Sequence, residues 1–211
     1  MNHLQSVLNR DVATLLRHTV YANRSVTVAG ESNVPTIGAA ILAPIHTSLD
    51  DGYLLLAYSK RPLSVVKRYD HQGNVGMQLF EQLRMAAACT VGSVIIDRSI
   101  TDGANSFISS LARPHIPTLR QFSASAQNVL RDGQLLCMFP QGERRPRSEI
   151  GELSRGIGTL ALLANSPIIP TDIHYNGHTV AITYGEPITP TGNSRQIVAK
   201  LRDRLAAFTQ R

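Results

Sequence analysis

Tryptophan is absent from this chain, and phenylalanine and tyrosine bring the aromatic share to only 5%. Stacking platforms for single-stranded nucleic acid are therefore scarce, and no recognised nucleic-acid motif replaces them. The two cysteines, Cys89 and Cys137, sit in apolar surroundings, where buried free thiols are expected rather than a disulfide or a nucleophile. That usage fits a reducing cytoplasm. No apolar run approaches the ~20 residues of a membrane span. The start, Met1-Asn2-His3-Leu4, lacks the basic-then-apolar pattern of an export signal. A Gly-x-Ser-x-Gly elbow is also missing, which argues against a serine hydrolase of that type. His174 and His178 lie four apart around the turn-forming Asn176-Gly177, and without a third ligand no metal site is expected.

What is present is a globular composition: 211 residues, 43% hydrophobic and 17% charged. A chain of this size buries a full core as one domain, so residues 1–211 read as a single unit. The net charge of +6 favours anionic partners: phospholipid headgroups, phosphorylated metabolites, coenzyme A or an acidic carrier protein.

Leu4, Val7, Leu8, Val12, Leu15 and Leu16 recur at helical spacing, so residues 3–18 read as an amphipathic helix within an N-terminal segment, 1–21. Packing against the domain is favoured over lying on a membrane surface. Strands are expected at 24–29, 37–45, 64–67, 93–96, 135–139, 167–173 and 179–184. Helices are expected at 51–60, 74–89, from Pro117-Thr118 to about Gly133, and at 156–165 and 194–208. This alternation argues for an α/β layered domain with a largely parallel central sheet flanked by helices. Gly156-Ile157-Gly158-Thr159-Leu160-Ala161 spells a dinucleotide-like pattern, but no strand leads into it, so a closely packed helix start is the better reading. The polar loop 141–155 is the longest segment where function can reside.

Two segments carry chemistry. His46 leaves an apolar run and is followed five residues later by Asp51. A carboxylate on one imidazole nitrogen fixes the tautomer and leaves the other nitrogen to take a proton from a hydroxyl. Ser48-x-x-Asp51 also spells a capping box, in which the acid closes a helix start. Asp50 is assigned to surface or capping. The second segment, Phe139-Pro140-Gln141-Gly142-Glu143-Arg144-Arg145, sets paired arginines on a turn after another apolar run. Arginine's planar fork suits phosphate. Arg98, at the end of a third apolar run, is read as a phosphate clamp against the alternative of an ion pair with Asp97. Arg145, Arg147 and Arg155 each read singly as solvated surface.

These segments resemble the motifs of the glycerolipid and lysophospholipid acyltransferases. His46 and Asp51 are similar to that family's H-x4-D, and Gly92-Ser93-Val94-Ile95-Ile96-Asp97-Arg98 to its second motif. Phe139 to Arg145 is similar to F-P-E-G-T-R-S, and Ile168-Ile169-Pro170-Thr171 to the apolar V-P-V-like fourth motif. The motifs come in family order between about Ala39 and Pro187. The resemblance implies a glycerol-3-phosphate acyltransferase-like fold with its catalytic core over 36–190. It implies O-acyl transfer from acyl-CoA or acyl-carrier protein to a hydroxyl of a lysophosphatidate-like acceptor, with no bound cofactor or metal. His46 and Asp51 would be catalytic, and Arg98, Gln141, Gly142, Glu143 and Arg144 would bind substrate. The tetrahedral oxyanion of such a transfer needs donors, from backbone N–H groups or a nearby side chain, and the turn at Gly142 is one candidate source.

This chain departs from the family pattern in places. Ile45 replaces an asparagine common before the histidine, and Gln141 and Glu143 replace the glutamate and threonine of the third motif. Glu143 is expected to weaken the Arg144 clamp or repel a dianionic headgroup, so that a different hydroxylated acceptor outperforms lysophosphatidate, the family default; the alternative is that it pairs with a neighbouring arginine and leaves specificity alone. Family members are commonly membrane-bound through N-terminal hydrophobic helices, whereas here only the amphipathic segment is available for peripheral contact at the inner face of a membrane. Two alternatives follow: an acyltransferase acting on a soluble or carrier-bound metabolite, and a non-catalytic acyl-CoA or anionic-lipid binding protein.

Overall fold

The central strands are almost wholly apolar, and that dictates where they go. Ala40–Pro44 (β2) and Leu135–Cys137 (β5) are buried at every position, as expected for parallel strands covered on both faces. The computed structural model describes residues 3–69, 94–97 and 119–210. Around the central pair lie Ser25–Ala29 (β1), Leu63–Tyr69 (β3), Val94–Asp97 (β4), Ile168–Asn176 (β6) and Thr179–Tyr184 (β7). Among the described residues they form a seven-stranded sheet of order β1-β7-β6-β2-β5-β3-β4. Every pairing is parallel except β6 with β7. The expected helix over 74–89, Cys89, Arg98 and the Pro117-Thr118 helix start lie outside the described residues.

Alternation along the strands sorts two cores. Ile41, Ala43, Leu136 and Ile168 face one side, against Leu119–Arg131 (α3), Arg155–Leu163 (α4) and Ser194–Thr209 (α5). Ala40, Leu42, Leu135, Cys137 and Ile169 face the other, against Asp51–Tyr58 (α2) and the apolar stripe of His3–His18 (α1). Cys137 is a fully buried free thiol, as expected, and burial pushes its pKa up. Helix α1 packs on the domain: the buried Asn9 side chain donates to Leu63 O at 2.9 Å.

The helix ends follow local chemistry. Gly133, at φ 70°, ends α3 and donates to Leu130 O. Ser154 caps α4 by accepting from Gly156 N–H. The glycine pattern there serves packing: a Cβ on Gly158 would come within 2.7 Å of the Ser194 carbonyl at the start of α5. Gly158→Ala is therefore expected to destabilise the fold by about 1–3 kcal/mol. A denaturant titration checks this, and an unchanged midpoint would mean that α5 simply shifts away.

One strand runs further than its sequence suggests. β6 continues past Ile173 to Asn176 because β7 turns back on it through Gly177-His178, pairing His174 with Ala181 and Tyr175 with Val180. The polar residues at 174–176 break the apolar run that sequence reading follows. Antiparallel pairing satisfies their backbone regardless of side chain.

Candidate active site

The connections leaving β2 and β5 go to opposite faces of the sheet, β2 to α2 and β5 to α4. Adjacent strands whose connections diverge leave a crevice at their carboxyl ends. His46 stands at the end of β2 in that crevice, and the turn from Phe139 to Arg145 stands at the end of β5. The backbone ties the two together: Arg145 N–H donates to His46 O at 3.0 Å.

Asp51 organises the centre. It is fully buried. Its Oδ2 lies 2.9 Å from His46 Nδ1 and accepts the Thr47 and Ser48 N–H groups, each at 2.8 Å. Its Oδ1 accepts the Tyr175 hydroxyl at 2.8 Å. These bonds offset the cost of burying a carboxylate. Because Oδ2 is an acceptor, the arrangement assigns the proton to Nδ1 and leaves Nε2 of His46 free to accept. Asp51 thus makes one contact that each reading of it calls for. The carboxylate turns back onto the Ser48 amide, as a cap does, and holds the imidazole with the same oxygen. The Ser48 hydroxyl accepts from Asp50 N–H, at 3.2 Å, so the reciprocal half of the box is displaced by one residue. Asp50 occupies the helix N-cap position without a side-chain capping bond.

The His46 side chain keeps 16% of its surface exposed, enough for a substrate to reach it. Its ring lies against Phe139, with centroids 4.0 Å apart and planes inclined by 31°. Gln141 is buried. Its Oε1 accepts His46 N–H at 2.9 Å and its Nε2 donates to Glu149 O at 3.2 Å. The side chain expected to contact substrate is therefore engaged in holding the histidine backbone. Gly142 has φ 71°, and its N–H closes the turn onto Phe139 O at 3.2 Å. Its own amide is thus committed within the turn rather than free as an oxyanion donor.

The arginines separate by position. Arg145 pairs with Glu143, Nε to Oε1 at 2.9 Å. Arg144 is exposed and, among the described residues, has no hydrogen-bond or ion-pair partner. Glu143 therefore takes up Arg145, not the arginine expected to meet an anion. A cleft of about 550 Å³ lined by Gln141, Glu143, Arg145, Leu153 and Arg155 opens beside this loop, and His46 is not among its walls. Arg147 corrects its sequence reading as solvated surface. It forms a two-point ion pair with the buried Asp172, at 2.8 and 3.2 Å, and also donates to Phe208 O. Arg155 is exposed, as expected.

Tyr175 is the member of this constellation that sequence reading misses. Burial, then the Asp51 charge and the bond to it, raise its pKa well above the ordinary phenol value, so it remains a donor. The available signal was the period-two spacing of Ile173 and Tyr175, which puts both on the face of β6 that carries α2.

With this geometry in place, comparison with known proteins gives a consistent picture. The acyltransferase family model matches residues 25–174. A probable 1-acyl-sn-glycerol-3-phosphate acyltransferase of Mycoplasma pneumoniae is 28% identical over 155 residues, covering 70% of this chain and 48% of that protein. A 1-acyl-sn-glycerol-3-phosphate acyltransferase of Pseudomonas aeruginosa is 26% identical over 102 residues, covering 43% of this chain and 39% of that protein. The chain thus spans less than half the length of these curated relatives. The crystal structure of the 1-acyl-sn-glycerophosphate acyltransferase of Thermotoga maritima superposes with a TM-score of 0.68 at 15% identity, over 98% of this chain and 80% of that one, and so shares the fold. The family match runs from β1 through most of β6 and takes in both His46 and the Phe139 turn, so this chain belongs to the acyltransferase family.

Proposed function

We propose that the protein transfers a fatty acyl group from acyl-CoA or acyl-carrier protein to a hydroxyl of a lysophosphatidate-like acceptor, with His46 as general base and Asp51 orienting it. The observation that carries this reading is the 2.9 Å contact between a partly exposed histidine and a fully buried carboxylate. A binding protein has no need of a base held in one tautomer. His46 Nε2 accepts the acceptor's hydroxyl proton as the oxygen attacks the thioester carbonyl. The tetrahedral intermediate collapses, the carbon–sulfur bond breaks, and the thiolate leaves with the proton from His46. The relatives' names carry the 1-acylglycerol-3-phosphate acceptor, and Arg144, exposed and without a partner among the described residues, is suited to its phosphate.

Among the described residues no helix is long and apolar enough to cross a membrane. Leu15, Val20 and Leu49 are each 60% exposed. We take them, with the basic charge of the chain, as a surface for peripheral contact where a lipid acceptor is presented. The direct test is purified protein incubated with acyl thioesters of coenzyme A and carrier protein against lysophosphatidate, other lysolipids and hydroxylated metabolites, with products identified by mass spectrometry. Absence of ester product from every combination would contradict the reading.

The arginine geometry sharpens this. Arg144→Ala is expected to raise KM for lysophosphatidate about tenfold, the scale of one charge-assisted hydrogen bond. Glu143→Thr is expected to leave the ranking of acceptors unchanged, since Glu143 is engaged by Arg145. Kinetics on the same acceptor panel check both. A reordered ranking in Glu143→Thr would return the choice of acceptor to Glu143.

A further inference from the structure

Asp51 has two oxygens with unequal surroundings. Oδ2 meets the imidazole and two backbone amides, while the bond from Tyr175 is the one described at Oδ1. Tyr175 comes from β6, whose backbone is locked in register with β7 at Val180. It is therefore a donor fixed by the sheet, on a different element from both members of the pair. We propose that Tyr175 is a positioning residue for the dyad: its hydroxyl fixes the Oδ1 edge of Asp51 and thereby sets the basicity of His46.

The physical argument has two parts. A buried carboxylate can rotate about its terminal torsion, and an oxygen left without a donor in an apolar setting favours rearrangement. The phenol O–H removes that option. A hydrogen bond donated to a carboxylate also draws off part of its negative charge, which lowers its pull on an adjacent imidazolium. Without Tyr175 O–H, Asp51 stabilises protonated His46 more strongly, and the imidazole titrates at higher pH. Among the described residues, the other ionisable groups facing this pair are Asp50 beside it, Tyr21 and Arg24 from the segment between α1 and β1, and the buried Cys137 thiol on β5. The Arg24 guanidinium lies 5.8 Å from the Tyr175 ring centroid, and Tyr21 OH lies 3.5 Å from Asp50 O. Arg145 meets His46 through its backbone amide, its side chain being paired with Glu143. A tyrosine-to-phenylalanine change leaves these groups in place and removes the donor to Asp51 together with the hydroxyl's own bond with Ser48.

The inference rests on the reading of His46 as a base, and the experiment separates the two. Tyr175→Phe is assayed with lysophosphatidate and acyl-CoA across pH, and the His46 imidazole is titrated by NMR without substrate. The expected result is roughly tenfold lower kcat, with KM for both substrates retained. The acid limb of the kcat/KM profile and the NMR titration should both move to higher pH. A fluorinated tyrosine at position 175, a stronger donor that keeps the ring, should move both to lower pH. A role in packing alone changes the unfolding midpoint but produces no opposite-signed shifts. If His46→Ala is inactive while folded Tyr175→Phe keeps normal kcat and an unmoved His46 titration, the proposal is overturned and the base reading stands. If His46→Ala remains active, the base reading falls, and an unmoved NMR titration in both Tyr175 variants overturns this proposal separately.

Discussion

His46→Ala is expected to lower acyl transfer by ~10²–10⁴-fold, the contribution of a positioned general base, while the protein stays folded. The two halves of this expectation have separate grounds. The imidazole is the group at the crevice with a nitrogen free to accept a proton, because its other nitrogen is bound to Asp51. Its removal takes one bond from Asp51 and leaves the Thr47 and Ser48 amides and the Tyr175 hydroxyl in place. The buried carboxylate therefore remains satisfied, and the unfolding midpoint should move little. Asp51→Asn should be comparably damaging for a different reason. A carboxamide that keeps the backbone amides and Nδ1 on its oxygen turns its NH₂ toward the Tyr175 hydroxyl, and it lacks the negative charge that stabilises the imidazolium formed when His46 takes the proton. Circular dichroism and single-turnover assays of both variants are the measurements. Near-normal turnover in a folded His46→Ala protein would sink the proposal.

The parts of this site that the sequence reveals are those whose signals are local. His46 and Asp51 are five positions apart, and the short connection from the end of β2 to the helix start at Asp51 brings them together. The central strands β2 and β5 are legible because burial on both faces demands unbroken apolar runs. The turn at Gly142 is legible through its glycine, which takes a positive φ. What the sequence conceals is set by pairing between distant segments. Tyr175 reaches Asp51 across 124 positions, through a strand whose last residues are polar and are held by register with β7. Gln141 resembles a substitution at a substrate contact, yet it holds the His46 backbone across 95 positions. No periodicity encodes either contact. Glu143 is intermediate. Its pairing with an arginine is foreseeable, but whether it takes Arg144 or Arg145 depends on how the turn orients them.

Arg147→Ala is expected to cost about 3 kcal/mol of stability, the scale on which breaking a buried ion pair is felt. In a chain of this size that lowers Tm by roughly 10 °C. The residue lies in the polar loop 141–155 and reads in the sequence as one of several surface arginines. In the fold its guanidinium engages both oxygens of Asp172 on β6 and the carbonyl of Phe208 near the end of α5. Asp172 is only 4% exposed, so truncating the arginine strands a carboxylate with little access to water. The same side chain fastens the segment after the Phe139 turn to the sheet, so its loss should also loosen Arg144 and raise KM for the acceptor more than it lowers kcat. Replacing both partners together, Arg147→Met with Asp172→Leu, separates the pair's net worth from the penalty of breaking it. Well-packed apolar substitutes for a buried pair are commonly neutral or stabilising, so the double variant should recover most of the lost Tm. Thermal unfolding of the wild type, both single variants and the double variant completes the cycle. Additive losses across it would mean that the two residues act independently and that the ion pair does not hold the loop.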